Sequence, residues 1–120
     1  MNIVGIGCDI VEVDRAGKLS NEKYLNKFLT QKEIDNINFK SKIKSEHIAG
    51  RFAAKEAIVK SLGTGFRNIS PTDIEITNDE LGKPIAKILK DDDNFKDLKF
   101  ELSISHIKKV AMAYVICYKD

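Results

Sequence analysis

The sequence predicts an α+β fold in which antiparallel strands pack on one long helix accompanied by short ones. Three observations carry that prediction. The elements run strand, then helices, then antiparallel strands, which segregates the two kinds rather than alternating them. Residues 45–62 carry a helical pattern of about five turns that ends at Gly63, Thr64 and Gly65. The last segment, 110–118, is apolar on both faces, so it belongs at the centre of a sheet or under a partner subunit.

Residues 3–11 read as the first strand. Val4, Ile6, Cys8 and Ile10 share one face, and Ile3, Gly5, Gly7, Asp9 and Val11 the other. Two glycines beside a carboxylate leave bare backbone where a ligand can approach; a bulge with a polar strand end explains the same residues. Residues 12–16 are expected to turn into a short helix that exposes Arg15. Residues 22–29 form a second short helical pattern. Thr30 followed by Glu33 is a capping box, so a third begins near Gln31. The long helix follows, with glycine suited to the left-handed conformation that closes it. Residues 74–77 alternate as a strand, 78–82 turn, and 84–89 return as the hairpin partner, with Pro84 suggesting a sheet edge. Residues 100–105 and 110–118 form the last hairpin.

A chain of 120 residues is expected to form one domain, 1–120, with an adequate core. A formal net charge of +2 is too small to argue for nucleic acid. No apolar run reaches the roughly 20 residues of a membrane span. The N-terminal stretch lacks a positive leader and carries Asp9, so it is not expected to be a secretory signal. Cys8 and Cys117 have neither zinc nor CxxC spacing and read as buried thiols in a reducing cytoplasm.

Polar groups stand where a bland core would have none. On the long helix, Ile48, Phe52, Val59 and Leu62 fall on one arc, with Glu56 at its edge and Lys55 inside it. A charge on a packing face is costly unless it is paired or binds a metal. Glu56 and Lys60 are one turn apart, which suits a surface ion pair or a metal carboxylate beside a phosphate-binding lysine. Asp9 and Glu56 together could hold Mg²⁺, which takes a few carboxylates plus waters and phosphate oxygens. A buried or interfacial ion pair is the expectation for Lys55. Glu33 and Asp35 have a bland explanation in the first turn of their helix. His106, flanked by Ser103 and Ser105, is either a satisfied structural histidine or a donor to a phosphate or sugar. His47 reads as helix surface.

Gly5, Gly7 and Asp9, followed by Phe52, Lys55, Glu56, Ala57 and Lys60, resemble the G-x-D and F-x-x-K-E-[AS]-x-x-K segments of the 4′-phosphopantetheinyl transferases. The run 50–57, the Gly63, Thr64, Gly65 ending, Gly82, Lys83, Pro84 and the stretch 102–106 look like the small holo-[acyl-carrier-protein] synthase branch. The likeness spans the chain from first strand to last. It implies transfer of the 4′-phosphopantetheine arm of coenzyme A to a serine of apo acyl carrier protein in fatty acid biosynthesis, releasing adenosine 3′,5′-bisphosphate. It implies Mg²⁺ on Asp9 and Glu56, and Lys60 on the phosphates. Arg51, Gly63, Thr64, Gly65, Gly82, Lys83, Pro84, Ser105 and His106 fall on segments that line the coenzyme site, and Arg15 on a position that meets the acidic carrier protein. Glu33, Asp35 and a metal-bound water are the candidates for the base. The branch also implies a homotrimer with active sites between subunits, and the composition adds the expectation of a cytoplasmic protein without nucleic acid or membrane. A non-enzymatic nucleotide- or RNA-binding α+β module is the alternative, and a nucleotide hydrolase or transferase with the same metal pair is a second.

Overall fold

The computed structural model describes residues 1–18, 22–63 and 68–120. Its elements are β1 (Asn2–Glu12), α1 (Val13–Lys18), α2 (Glu22–Leu25), α3 (Gln31–Asp35), α4 (Lys44–Leu62), a 3-10 turn (Pro71–Asp73), β2 (Ile74–Asn78), β3 (Pro84–Ile88), β4 (Lys99–His106) and β5 (Val110–Lys119). The expected α+β class holds. β1, β5 and β4 form an antiparallel sheet with β5 central, and β2 and β3 form a separate hairpin. Thr64 and Gly65 lie outside the described residues.

Helix α4 is built from residues that favour a helix or pack closely. Ala49, Ala53, Ala54 and Ala57 lie along it, fully buried. Gly63 closes it with φ 76°, and its N–H donates to the Lys60 carbonyl. At α3 the predicted capping box is present, with Thr30 Oγ1 accepting from the Glu33 N–H at 3.2 Å and Glu33 Oε1 accepting from the Thr30 N–H at 2.8 Å.

The single apolar arc expected on α4 is not what the fold uses. Ala54, Ala57, Ile58 and Ser61 are buried as completely as Ile48, Ala53 and Val59, whereas Phe52 and Leu62 are only partly covered. The helix is enclosed on several sides. Its C-terminal half packs with Ile74, Ile76, Leu102, Ala113 and Val115. Its N-terminal half packs with Val13, Leu25, Leu29, Ile34 and Ala111.

The faces of β1 also reverse the usual expectation. Ile6 and Ile10 are 59% and 71% exposed, and Cys8 is exposed beside them. Of the two thiols expected to be buried, only Cys117 is, because Cys8 lies on the outer face of the sheet. The inner face carries Gly5, Gly7, Asp9 and Val11, which pair with Cys117, Val115, Ala113 and Ala111. A methyl group at Gly7 would collide with the Ala57 carbonyl oxygen, and one at Gly5 with that of Ser61. The bare backbone therefore receives α4 itself, not a ligand. β5 is central as expected, yet Met112, Tyr114 and Ile116 leave its outer face exposed.

Replacing Gly7 by alanine forces α4 away from the sheet. The expected loss lies at or beyond the upper end of the about 1–3 kcal/mol typical of overpacking, read from urea unfolding followed by circular dichroism.

Candidate active site

Where β1 emerges from under α4, its inner face changes from glycine to Asp9. Lys60 Nζ lies 3.1 Å from Asp9 Oδ1 and donates to the Cys8 carbonyl at 3.1 Å. Glu56 is one helical turn before Lys60, so the two project about 40° apart. Burial and the negative charge of Asp9 push the Glu56 carboxyl above its ordinary range, against the opposing pull of Lys60. Asp9 and Glu56 line a cleft of about 390 Å³, and the Lys60 ammonium lies beside it on Asp9. Its walls include Arg15 from α1, Phe28 from the turn after α2, and Phe52 from α4. The Phe28 and Phe52 rings meet edge to face, with centroids 4.9 Å apart.

Lys55, next to Glu56 in sequence, projects about 100° away from it and is 2% exposed. The expected ion pair is present. Lys55 Nζ lies 2.6 Å from Glu33 Oε1 and donates to the carbonyls of Phe28 at 2.8 Å and Pro71 at 2.9 Å. Burial lowers the Lys55 pKa, with the Glu33 carboxylate opposing.

This pairing bears on Glu33, one of the three candidates for the base. Its carboxylate is buried, and the oxygen not facing Lys55 accepts from the Ile76 N–H at 3.0 Å. Glu33 is a structural anchor. Asp35 is exposed on α3, where it accepts from Gln31 Nε2 at 2.8 Å. Neither side chain lines the cleft.

A second group gathers on the other side of α4. Arg51 projects about 140° from Glu56, is buried, and donates to Asn78 Oδ1 at the end of β2. Asn78 Nδ2 donates to the Gly82 carbonyl at 2.8 Å, and Lys83 pairs with Glu101 at 3.0 Å, ordering the turn that leads into Pro84. His47 is half-buried rather than on the helix surface, and its pKa is lowered by burial and by the neighbouring Arg51 and His106. Within one chain, then, Asp9, Glu56, Lys60 and Arg15 come together, and Arg51, Gly82 and His106 gather elsewhere. Ser105 is exposed on the outer sheet face, opposite Met112. Gly63 lies beyond Lys60, about 18 Å along the helix from Arg51. Sequence reasoning missed Phe28 and Asn78. Phe28 looked like one more apolar residue of a short helix, and Asn78 like the first residue of a turn.

Residues 5–117 match the family model described as the 4′-phosphopantetheinyl transferase superfamily. The chain belongs to this superfamily. A holo-[acyl-carrier-protein] synthase of Clostridium tetani is 49% identical, over 95% of this chain and 94% of that protein. A crystal structure of the holo-(acyl-carrier-protein) synthase of Bacillus anthracis, in complex with CoA (3′,5′-ADP), superposes with a TM-score of 0.87 at 39% identity, covering all of both chains. The synthase of Helicobacter pylori in complex with coenzyme A superposes with a TM-score of 0.81 at 31% identity, covering 94% of this chain and 99% of that one.

Two outcomes follow from the charges of the transferase fold. Lys55→Met leaves the Glu33 carboxylate buried without its partner and is expected to cost about 3–5 kcal/mol, read from the urea midpoint. Glu56 acts in the opposite sense. Its raised pKa means that the folded chain holds this proton more tightly than the unfolded chain. Stability therefore falls as pH rises from the ordinary glutamate value of 4.5 through the raised one. Glu56→Gln should melt higher than the parent at pH 7 in chelator, with the gap closing below pH 4.5.

Proposed function

We propose that this chain, as one domain over residues 1–120, is a holo-[acyl-carrier-protein] synthase. It transfers the 4′-phosphopantetheine group of coenzyme A to a serine of apo acyl carrier protein in fatty acid biosynthesis, releasing adenosine 3′,5′-bisphosphate. The observation that carries this reading is the convergence of Asp9, Glu56 and Lys60 at one cleft with Arg15 in its wall.

Phosphoryl transfer needs positioning and charge neutralisation more than covalent help. The cleft supplies the means for both. Lys60, 56% exposed at its side chain, is free to turn from Asp9 toward a phosphate oxygen. Arg15 is exposed and meets an acidic partner at the rim. The carboxylate pair fits Mg²⁺. Burial and, after it, the Asp9 charge raise the Glu56 pKa, and a divalent cation would relieve the repulsion between the two carboxylates. Mg²⁺ is bound by one or two carboxylates together with waters and substrate phosphates, which is the number of carboxylates that Asp9 and Glu56 offer. When bound by Asp9 and Glu56, Mg²⁺ would neutralise charge on the pyrophosphate. A module that merely binds a nucleotide or RNA has no use for two carboxylates facing its phosphates.

Arg51, Gly82, Lys83, Pro84 and His106 supply the second half of the coenzyme site, and the family resemblance adds Gly63, Thr64, Gly65 and Ser105 to the segments that bind the coenzyme. Their separation from Glu56 across α4 supports a homotrimer in which each active site lies between two chains. The exposed outer sheet face, with Ile6, Ile10, Met112, Tyr114 and Ile116, offers apolar surface for that assembly. No helix among the described residues is long and apolar enough to cross a membrane. A cytoplasmic location belongs to the proposed function.

The test is the mass of apo acyl carrier protein after incubation with this protein, coenzyme A and Mg²⁺. One added phosphopantetheine, lost with chelator and in Glu56→Ala, is the expected result. No gain with any of several carrier proteins refutes the reading. Subunit sharing has its own test. Arg51→Ala and Glu56→Ala, each inactive alone, should regain about a quarter of parental activity when unfolded and refolded together as a cyclic trimer. No recovery places both halves in one chain.

A further inference from the structure

Glu33, Arg51, Lys55 and Glu75 are buried charged side chains, and Lys55 links several segments around them. An ammonium has three N–H bonds to donate. Lys55 directs them to the carbonyl of Phe28, the carboxylate of Glu33 and the carbonyl of Pro71. Those acceptors come from the turn after α2, from α3, and from the 3-10 turn leading into β2. Glu33 extends the bridge to the Ile76 N–H, and Thr30 Oγ1 donates to Glu75 Oε2 at 2.9 Å. No buried side-chain nitrogen or oxygen among the described residues lacks a partner.

What these bonds hold is a wall of the cleft. Phe28, whose carbonyl Lys55 binds, faces Phe52, and both rings line the cavity that Asp9 and Glu56 enter. Lys55 immediately precedes Glu56 on the same helix. Any rotation of α4 about its axis that breaks the three Lys55 bonds also swings Glu56 relative to Asp9.

We propose that Lys55 is a positioning residue for phosphopantetheine transfer: tied to Phe28, Glu33 and Pro71, it fixes the rotation of α4 and so holds Glu56 opposite Asp9. This rests on the functional reading above. Lys55 touches neither substrate nor metal and acts through Glu56. The rival role is that of a stability brace. The two roles separate because a buried ion pair can be replaced by neutral side chains with little loss of stability.

The experiment uses Lys55→Met combined with Glu33→Gln, which removes both charges and keeps an unbranched side chain of similar bulk at each position. Binding of Mn²⁺ alone, followed by the electron paramagnetic resonance of the free ion, reports the Asp9–Glu56 geometry without any turnover. Urea unfolding checks that the variant is folded. Mn²⁺ affinity is expected to weaken roughly tenfold, as when partners behind metal ligands are lost, with kcat falling in parallel and the KM for coenzyme A changing less. Parental Mn²⁺ affinity in the folded variant overturns the assignment, whatever happens to kcat. If the double variant does not fold, Lys55→Arg decides by the same readout, because it keeps the charge but not the three-point reach. The two failures are distinct: a parent protein that modifies no carrier protein sinks the transferase reading, whereas an unshifted Mn²⁺ affinity sinks the role of Lys55.

Discussion

The arrangement depends on the gap that Gly5 and Gly7 leave between β1 and α4. Gly7 lies against the Ala57 carbonyl and Gly5 against that of Ser61, so strand and helix run antiparallel. Two residues along a strand advance about 6.6 Å, and four along a helix about 6 Å. The match lets the contact continue. The next residue on that strand face is Asp9, which arrives beside α4 at the level of Ala53 and Ala57. Glu56 and Lys60 flank that line, which is why Lys60 reaches both the Cys8 carbonyl and the Asp9 carboxylate. The glycines of G-x-D therefore bring a carboxylate on a strand to a carboxylate on a helix. Side chains at those positions would hold the two apart.

Much of the fold was legible in the sequence. The order of elements, the capping box at Thr30 and Glu33, the glycine end of α4 and the central place of β5 follow from local pattern and turn chemistry. The faces of β1 were not legible. Alternation says which residues share a face, not which face is inside. The rule that apolar residues go inward fails here because the inward face packs on helix backbone, and so Ile6, Cys8 and Ile10 are turned outward. The arc on α4 failed for a related reason: a helix enclosed on several sides has no single apolar stripe to find.

At the site, Asp9 stood out as a carboxylate beside two glycines, Glu56 as a charge at the edge of an apolar arc, and Lys60 by its one-turn spacing from Glu56. Glu33 was half legible. Its cap role is encoded three residues away, but its partner Lys55 is 22 residues on and Ile76 is 43, and no local signal joins them. The same carboxylate performs both tasks, because one oxygen faces the Thr30 N–H and Lys55 while the other takes the Ile76 N–H. A residue that looked available as a base is thus fully engaged. The Phe28–Phe52 contact was hidden in the same way, since a short helix and a long one gave no indication that they would meet.

A helix this well enclosed imposes a limit on its own function. Glu56 and Lys60 project on the side of β1, Arg51 on the side of β2, and the body of α4 stands between them. No rotation of one α4 can present both groups to one ligand, because the rotation is fixed by Gly7 on one side and by Lys55 on the other. A ligand long enough to use both groups has either to wrap around the helix or to lie between two copies of the chain. Wrapping is blocked where Ala53, Ala54 and Ala57 are fully buried against their neighbours. The proposed symmetric assembly would place the Arg51 side of one copy beside the Glu56 side of the next and meet the requirement without moving either helix. The rigidity that holds the carboxylate pair together within one chain is therefore the physical argument for the proposed assembly.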